Sequence, residues 1–278
     1  MFAARLATAA ALLALFCGAL LLLPNPYWGV FLLAGLWIAS LEWAVLAGYR
    51  YGARWWFAGV VLVSGLALLV DSQRGARALS SLVELHVYVY WISVVFWAAV
   101  APAWLAGNWH TRNPLILGVV GWVILLPTWL ALTSLQTMPR QLLVLLGIVW
   151  IADSAAYVVG RRFGRHRLAP RISPGKTWEG AIGAGAAVAV YYAGVWFIFG
   201  ARQPLSAAAS ELILFAAITI MSVQGDLFES WMKRRAGVKD SGTLLPGHGG
   251  MLDRIDGLTA SVPLAALWLH YIDRPGIV

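Results

Sequence analysis

The sequence predicts an all-α, polytopic integral membrane protein of about nine transmembrane helices, with its N-terminus in the cytoplasm. The first reason is composition. Of 278 residues, 61% are hydrophobic and 12% charged, with a mean hydropathy of +0.76. A soluble globular domain carries roughly 25% charged residues, so these charges are too few to cover a water-facing surface. The second is run length. The apolar residues stand in continuous runs of about 20, enough for an α-helix to cross the hydrocarbon core, whereas barrel strands show short alternating segments. Only helices and closed barrels satisfy their backbone polar groups in lipid, and run length selects helices. The third is the placement of cations. With the N-terminus inside, fifteen of the twenty Lys and Arg fall in inward-facing segments, as the positive-inside rule requires.

The expected spans lie near 5–23, 28–47, 55–71, 82–106, 115–134, 141–160, 179–200, 209–229 and 257–273. The first resembles a signal peptide, but its apolar stretch from Leu6 to Leu23 is long for one. Phe16 before Cys17 does not suit lipoprotein processing, so a retained span is expected. Cys17 is the only cysteine. It excludes an intrachain disulfide or a thiol metal cluster and reads as a small apolar filler. The fourth span is long enough to tilt or to leave the membrane. The eighth is the most polar, carrying Gln224, Asp226 and Glu229 in its second half. Trp28, Trp55, Trp56, Trp104, Trp109 and Trp178 stand near span ends, where an indole suits the headgroup region. Two regions follow: N-terminal transmembrane helices over 1–140, and a catalytic transmembrane region over 141–278 with cytoplasmic polar loops at 161–178 and 230–256. The net charge of +8 is assigned to anionic lipid and phosphate, not to nucleic acid.

Chemistry concentrates in three places. Asp226 and Glu229 are three apart and share a helix face, as do Asp253 and Asp256 just ahead of the last span. A carboxylate in an apolar helix marks a functional site by default. Hard cations such as Mg²⁺ prefer carboxylate oxygens, and two acids from different helices can clamp a phosphoryl transfer. Simple pairing with nearby Lys and Arg is the other reading. Pro246-Gly247-His248-Gly249-Gly250 suits either an anion nest or a tight turn. His248, between glycines, can bind a phosphate oxygen or act as a general acid, whereas His86, His110, His166 and His270 read as structural. Ser173-Pro174-Gly175-Lys176-Thr177 looks like part of a P-loop, but Pro170 stands where the pattern needs its first glycine, so that fold is rejected. Lys176 and Thr177 ahead of a helix can still hold a phosphate. Arg161 and Arg162 suit the same role or lipid headgroups.

The run Ser230-x-x-Lys233-Arg234-x4-Lys239-Asp240-x-Gly242-x2-Leu245-Pro246-x-His248-Gly249-Gly250-x2-Asp253-Arg254-x-Asp256 resembles, without a gap, the signature of phosphatidate cytidylyltransferases (CDP-diacylglycerol synthases). So do Ser173-Pro174-Gly175-Lys176-Thr177-x-Glu179-Gly180 and Gly225-Asp226-Leu227-x-Glu229-Ser230. The likeness covers the chain from Asp153 onward. It implies a multi-pass inner-membrane enzyme, active toward the cytoplasm, that joins CTP to phosphatidic acid and releases CDP-diacylglycerol and pyrophosphate. It also implies one or two Mg²⁺ ions and a homodimer. By position it assigns Asp226 and Asp253 to the metal, and catalysis to these two with Lys239, Asp240 and His248. Substrate binding goes to Ser173, Lys176, Thr177, Lys233, Arg234, Gly249, Gly250 and Arg254. The alternatives are cytidylyl transfer to another membrane lipid phosphate, or transport.

Overall fold

The computed structural model describes residues 2–72, 80–200, 205–244 and 249–272. Proline sets several helix starts, because its missing N–H is unpaired in the first turn anyway. Pro26, Pro114 and Pro139 begin three of them. The order is α1 (Phe2–Leu22), α2 (Asn25–Leu46), α3 (Tyr51–Ser72) and α4 (Ser80–Val95), which widens into a π-turn at Phe96–Val100 and runs on as α5 (Ala101–Gly107). Then come α6 (Pro114–Leu135) and α7 (Pro139–Phe163), and two short strands, β1 (Arg167–Ala169) and β2 (Ser173–Thr177). They are followed by α8 (Trp178–Val195), α9 (Leu205–Ala236) and α10 (Leu252–Ile272). Seven helical segments among the described residues are long and apolar enough to cross a membrane. Large apolar side chains face outward on several of them, including Trp56, Val190 and Phe197, as a lipid solvent demands.

Two features depart from the expected outline. The loop at 161–178 is not wholly irregular: β1 and β2 pair antiparallel, with Arg167 opposite Thr177 and Ala169 opposite Ser173. The polar segment 230–256 begins as helix, because α9 continues through Lys233, Arg234 and Arg235 to Ala236.

The tryptophans divide. Trp55, Trp56, Trp109 and Trp178 are exposed, but Trp28 and Trp104 are buried, against the expectation of headgroup anchors. A buried indole needs a partner for its N–H, and both have one. Trp28 donates to the Leu132 carbonyl at 3.0 Å and Trp104 to that of Trp109 at 2.9 Å. Trp43 and Trp129 make two more such bonds between α2 and α6, to Leu117 at 2.8 Å and Gly29 at 3.1 Å. α6 is buried along most of its length, packed between α2 and α10.

Two close helix pairs carry the C-terminal region. α7 lies along α8, where a Cβ at Gly180 would stand 2.7 Å from the Ala156 carbonyl and one at Gly183 equally close to Val159. α9 lies along α10, where a Cβ at Gly225 would overlap the Asp256 carbonyl oxygen. Small residues at such crossings let backbones approach. Next to Gly225, the Gln224 side chain donates to the Trp97 carbonyl at the π-turn, a place where the ordinary helical ladder is broken.

Candidate active site

A cleft of about 690 Å³ opens between α7, the β-hairpin, α9 and the start of α10. Its chemistry comes from Asp153 on α7, Ser173 and Lys176 on β2, Asp226 on α9, and Asp253 and Asp256 on α10. The hairpin is what turns Lys176 inward. Its ammonium lies 2.6 Å from an Asp226 oxygen and donates to the Val223 carbonyl at 3.2 Å. Thr177 caps α8, accepting from the Gly180 N–H at 3.1 Å. Glu179, in the first turn of α8, accepts from the Arg165 N–H at 3.1 Å, the His166 N–H at 3.2 Å and His166 Nδ1 at 2.7 Å. These contacts fasten the start of the hairpin to α8.

The close approach at Gly225 brings acids from α9 and α10 together. Carboxylate oxygens of Asp226, Glu229 and Asp256 all lie within 4.8 Å of one another. Like charges this close need cations. Lys176 serves Asp226, and Lys233 lies 2.6 Å from both Glu229 and Asp253. The Ser230 hydroxyl adds a hydrogen bond to Asp226 at 3.2 Å.

Asp253 sits ahead of the apolar part of α10. Its Oδ2 accepts from the Gly250 N–H at 2.8 Å, the Ser241 N–H at 2.9 Å and the Ser241 hydroxyl at 3.0 Å. Its Oδ1 accepts from Lys233 at 2.6 Å. Burial works against its charge, but the bonds from Lys233, Gly250 and Ser241 prevail and hold its carboxyl below the usual carboxylate range. Gly249, with φ +78°, takes a conformation that favours glycine. A Cβ there would stand 2.5 Å from Asp253 Oδ2.

Of the residues singled out in the sequence, Asp226, Asp253, Ser173, Lys176 and Thr177 line the cleft together. Lys233 stands behind them, bound to two carboxylates. Gly249 and Gly250 form the turn around Asp253. Arg234, Lys239, Asp240 and Arg254 are exposed and do not line the cleft. His248 lies outside the described residues. Of the two arginines, Arg161 lines the cleft and donates to the Tyr157 hydroxyl at 3.0 Å, while Arg162 stacks on Phe163. Asp153 and Tyr157 also line it. Asp153 was visible in the sequence as an acid in an apolar span. Nothing in the sequence pointed to Tyr157.

The fold is that of a multi-pass membrane protein, and its cleft gathers carboxylates beside the Lys176 ammonium. A family model for the cytidylyltransferase family matches residues 3–272, and the chain belongs to that family. It is 37% identical over 274 residues to a phosphatidate cytidylyltransferase of Pseudomonas aeruginosa, covering 95% of this chain and 96% of that one. It is 47% identical over 127 residues to the enzyme of that name from Haemophilus influenzae, covering 45% and 44%. With the Thermotoga maritima enzyme the figure is 46% over 125 residues, covering 44% and 46%.

Proposed function

We propose that this chain is a phosphatidate cytidylyltransferase: it transfers CMP from CTP to phosphatidic acid and releases CDP-diacylglycerol and pyrophosphate. One observation carries the reading. Acids from α7, α9 and α10 converge on Lys176 in a cleft walled by membrane-length helices, where a water-soluble nucleotide and a lipid phosphate can meet. The likeness to the Pseudomonas aeruginosa enzyme over nearly the full length of both chains supports it.

In this reaction a phosphate oxygen of the lipid attacks the α-phosphorus of CTP. The bond to the oxygen bridging the α- and β-phosphorus breaks, and pyrophosphate leaves with the electron pair. The lipid phosphate is ionised near neutral pH and needs no strong base. The barrier is the meeting of two anions, so positioning and charge neutralisation dominate. Lys176 and Arg161, facing the cleft, serve the phosphates. The α8 N-terminus behind Thr177 adds a positive end. A cleft open sideways to the bilayer spares the acyl tails from water, at about 0.8 kcal/mol per CH₂.

The residues present fit Mg²⁺. Three clustered carboxylates offer an all-oxygen donor set, which a hard cation prefers. Asp226, Glu229 and Asp256 would hold one ion. Asp253, which lines the same cleft, would contribute to a second. When bound, Mg²⁺ supplies charge neutralisation at the phosphate undergoing transfer. The same reading places nine helices across the inner membrane with the N-terminus and the cleft on the cytoplasmic side, in a homodimer. The excess of Lys and Arg in the inward segments supports that orientation.

The test is transfer of label from α-³²P-CTP in detergent, offering phosphatidic acid, isoprenoid phosphate or an ether-lipid phosphate. The expected product is labelled CDP-diacylglycerol, with phosphatidic acid preferred. Transfer to another lipid phosphate alone would move the assignment to that substrate. No transfer to any would end it.

A further inference from the structure

Glu42 lies on α2, far in sequence from every motif of the cleft, and it is buried. Its Oε1 accepts from the Met251 N–H at 2.9 Å, and its Oε2 from the Leu252 N–H and the Ser241 hydroxyl, both at 2.9 Å. Met251 and Leu252 stand where α10 begins. The first N–H groups of a helix have no acceptor within it, and a carboxylate is favoured at that end. Such capping usually comes from the residue just before the helix. Here it comes from another helix, 209 and 210 positions earlier.

The surrounding turn is shaped to this carboxylate. A Cβ at Gly242 would stand 2.5 Å from Glu42 Oε1, and one at Gly250 would overlap Oε2. Ser241 then links Glu42 to the cleft. Its hydroxyl lies 2.9 Å from Glu42 Oε2 and 3.0 Å from Asp253 Oδ2. One hydroxyl has one proton, so two carboxylates compete for it. The Ser241 N–H holds the same Asp253 oxygen at 2.9 Å.

We propose that Glu42 is a positioning residue for the transfer site: its carboxylate fixes the start of α10 and the neighbouring Ser241, and through Ser241 sets the Asp253 carboxylate in the cleft. The catalytic part of this inference rests on the cytidylyl-transfer reading. The positioning part does not.

The experiment uses the full chain in detergent. Glu42→Gln keeps the shape but replaces one acceptor oxygen with an NH₂ that opposes the N–H donors. Hydrogen exchange at the Met251 and Leu252 amides should quicken about tenfold or more, the loss of one hydrogen bond to a charged group. Exchange in α3 and α7 should stay at the wild-type rate. Turnover should fall roughly 10- to 100-fold, as when a group supporting a site carboxylate is removed, with KM for CTP unchanged because Glu42 touches no substrate. Ser241→Ala should reduce turnover similarly, and the double variant should be no worse than the poorer single one. Wild-type exchange at 251–252 overturns the proposal, as does exchange raised evenly over all helices, which would make Glu42 a general stabiliser. Additive losses of turnover also overturn it. If the wild-type chain transfers no CMP, the functional reading fails, and the exchange measurement still decides the role of Glu42.

Discussion

Lys233 is the most exacting point in the electrostatics of the site. Its ammonium bridges Glu229 and Asp253 at 2.6 Å each, with side-chain exposures of 13%, 6% and 7%. Replacing it by Met keeps the length of the chain and removes the charge. Two largely buried carboxylates then face each other and the Asp226–Asp256 pair without that cation. Breaking a buried ion pair from one side costs about 3–5 kcal/mol, because the abandoned charge stays desolvated. Lys233→Met should therefore lose stability at the upper end of that range, read as unfolding free energy in detergent by denaturant titration. Adding Glu229→Gln removes one of the stranded charges and should recover about half of the loss. Turnover should stay low in both variants, since Asp253 loses the ammonium that orients its Oδ1. Stability of Lys233→Met within about 1 kcal/mol of wild type, the value of an exposed pair, would refute the reasoning. So would a double variant less stable than the single one.

Further outcomes follow from the same geometry. Gly225→Ala must part α9 from α10 to clear the Asp256 carbonyl, and a displacement near 1 Å at a reacting centre is worth about 10²-fold in rate; steady-state turnover on folded protein checks it. Asp253→Asn should lose at least ~10²-fold in kcat, the scale of one electrostatic stabiliser, and near wild-type turnover would remove Asp253 from the chemistry. The ionised Asp253 is favoured by folding, with its carboxyl held below the ordinary 3.8. Its contribution is complete above the unfolded value of about 3.9 and fades as pH falls through the folded one. The stability gap between wild type and Asp253→Asn should stay constant from about pH 8 to pH 5 and close only below about pH 4; closure already near pH 6 would contradict it.

The helices were legible because burial in lipid needs only length and apolarity, both of which are local. The hairpin was not. Its strands contain Pro174, Gly175 and Lys176, which carry no alternating pattern, and it is held from outside by Glu179 and by pairing with β1. For tryptophan, position along a span could not separate an indole at the headgroups from one bonded to a neighbouring helix, as with Trp28 and Trp104. In the site, spacing placed Asp226 and Glu229 on one face but could not say that Asp256 joins them. That depends on how closely α9 and α10 pass at Gly225. Glu42 stands out locally as an acid in an apolar span, but its partners lie 199 to 210 residues away, so nothing near it in the chain says what it holds.

The indole bonds between α2 and α6 bear on how the chain is made. Trp28, Trp43 and Trp129 find their acceptors 74 to 104 positions away, so when α2 leaves the ribosome its matching carbonyls have not been synthesised. Two of its N–H donors must wait, unpaired in hydrocarbon or held by the insertion machinery, until α6 enters. Only then can the N-terminal bundle close, and only a closed bundle can present Glu42 to the last helix.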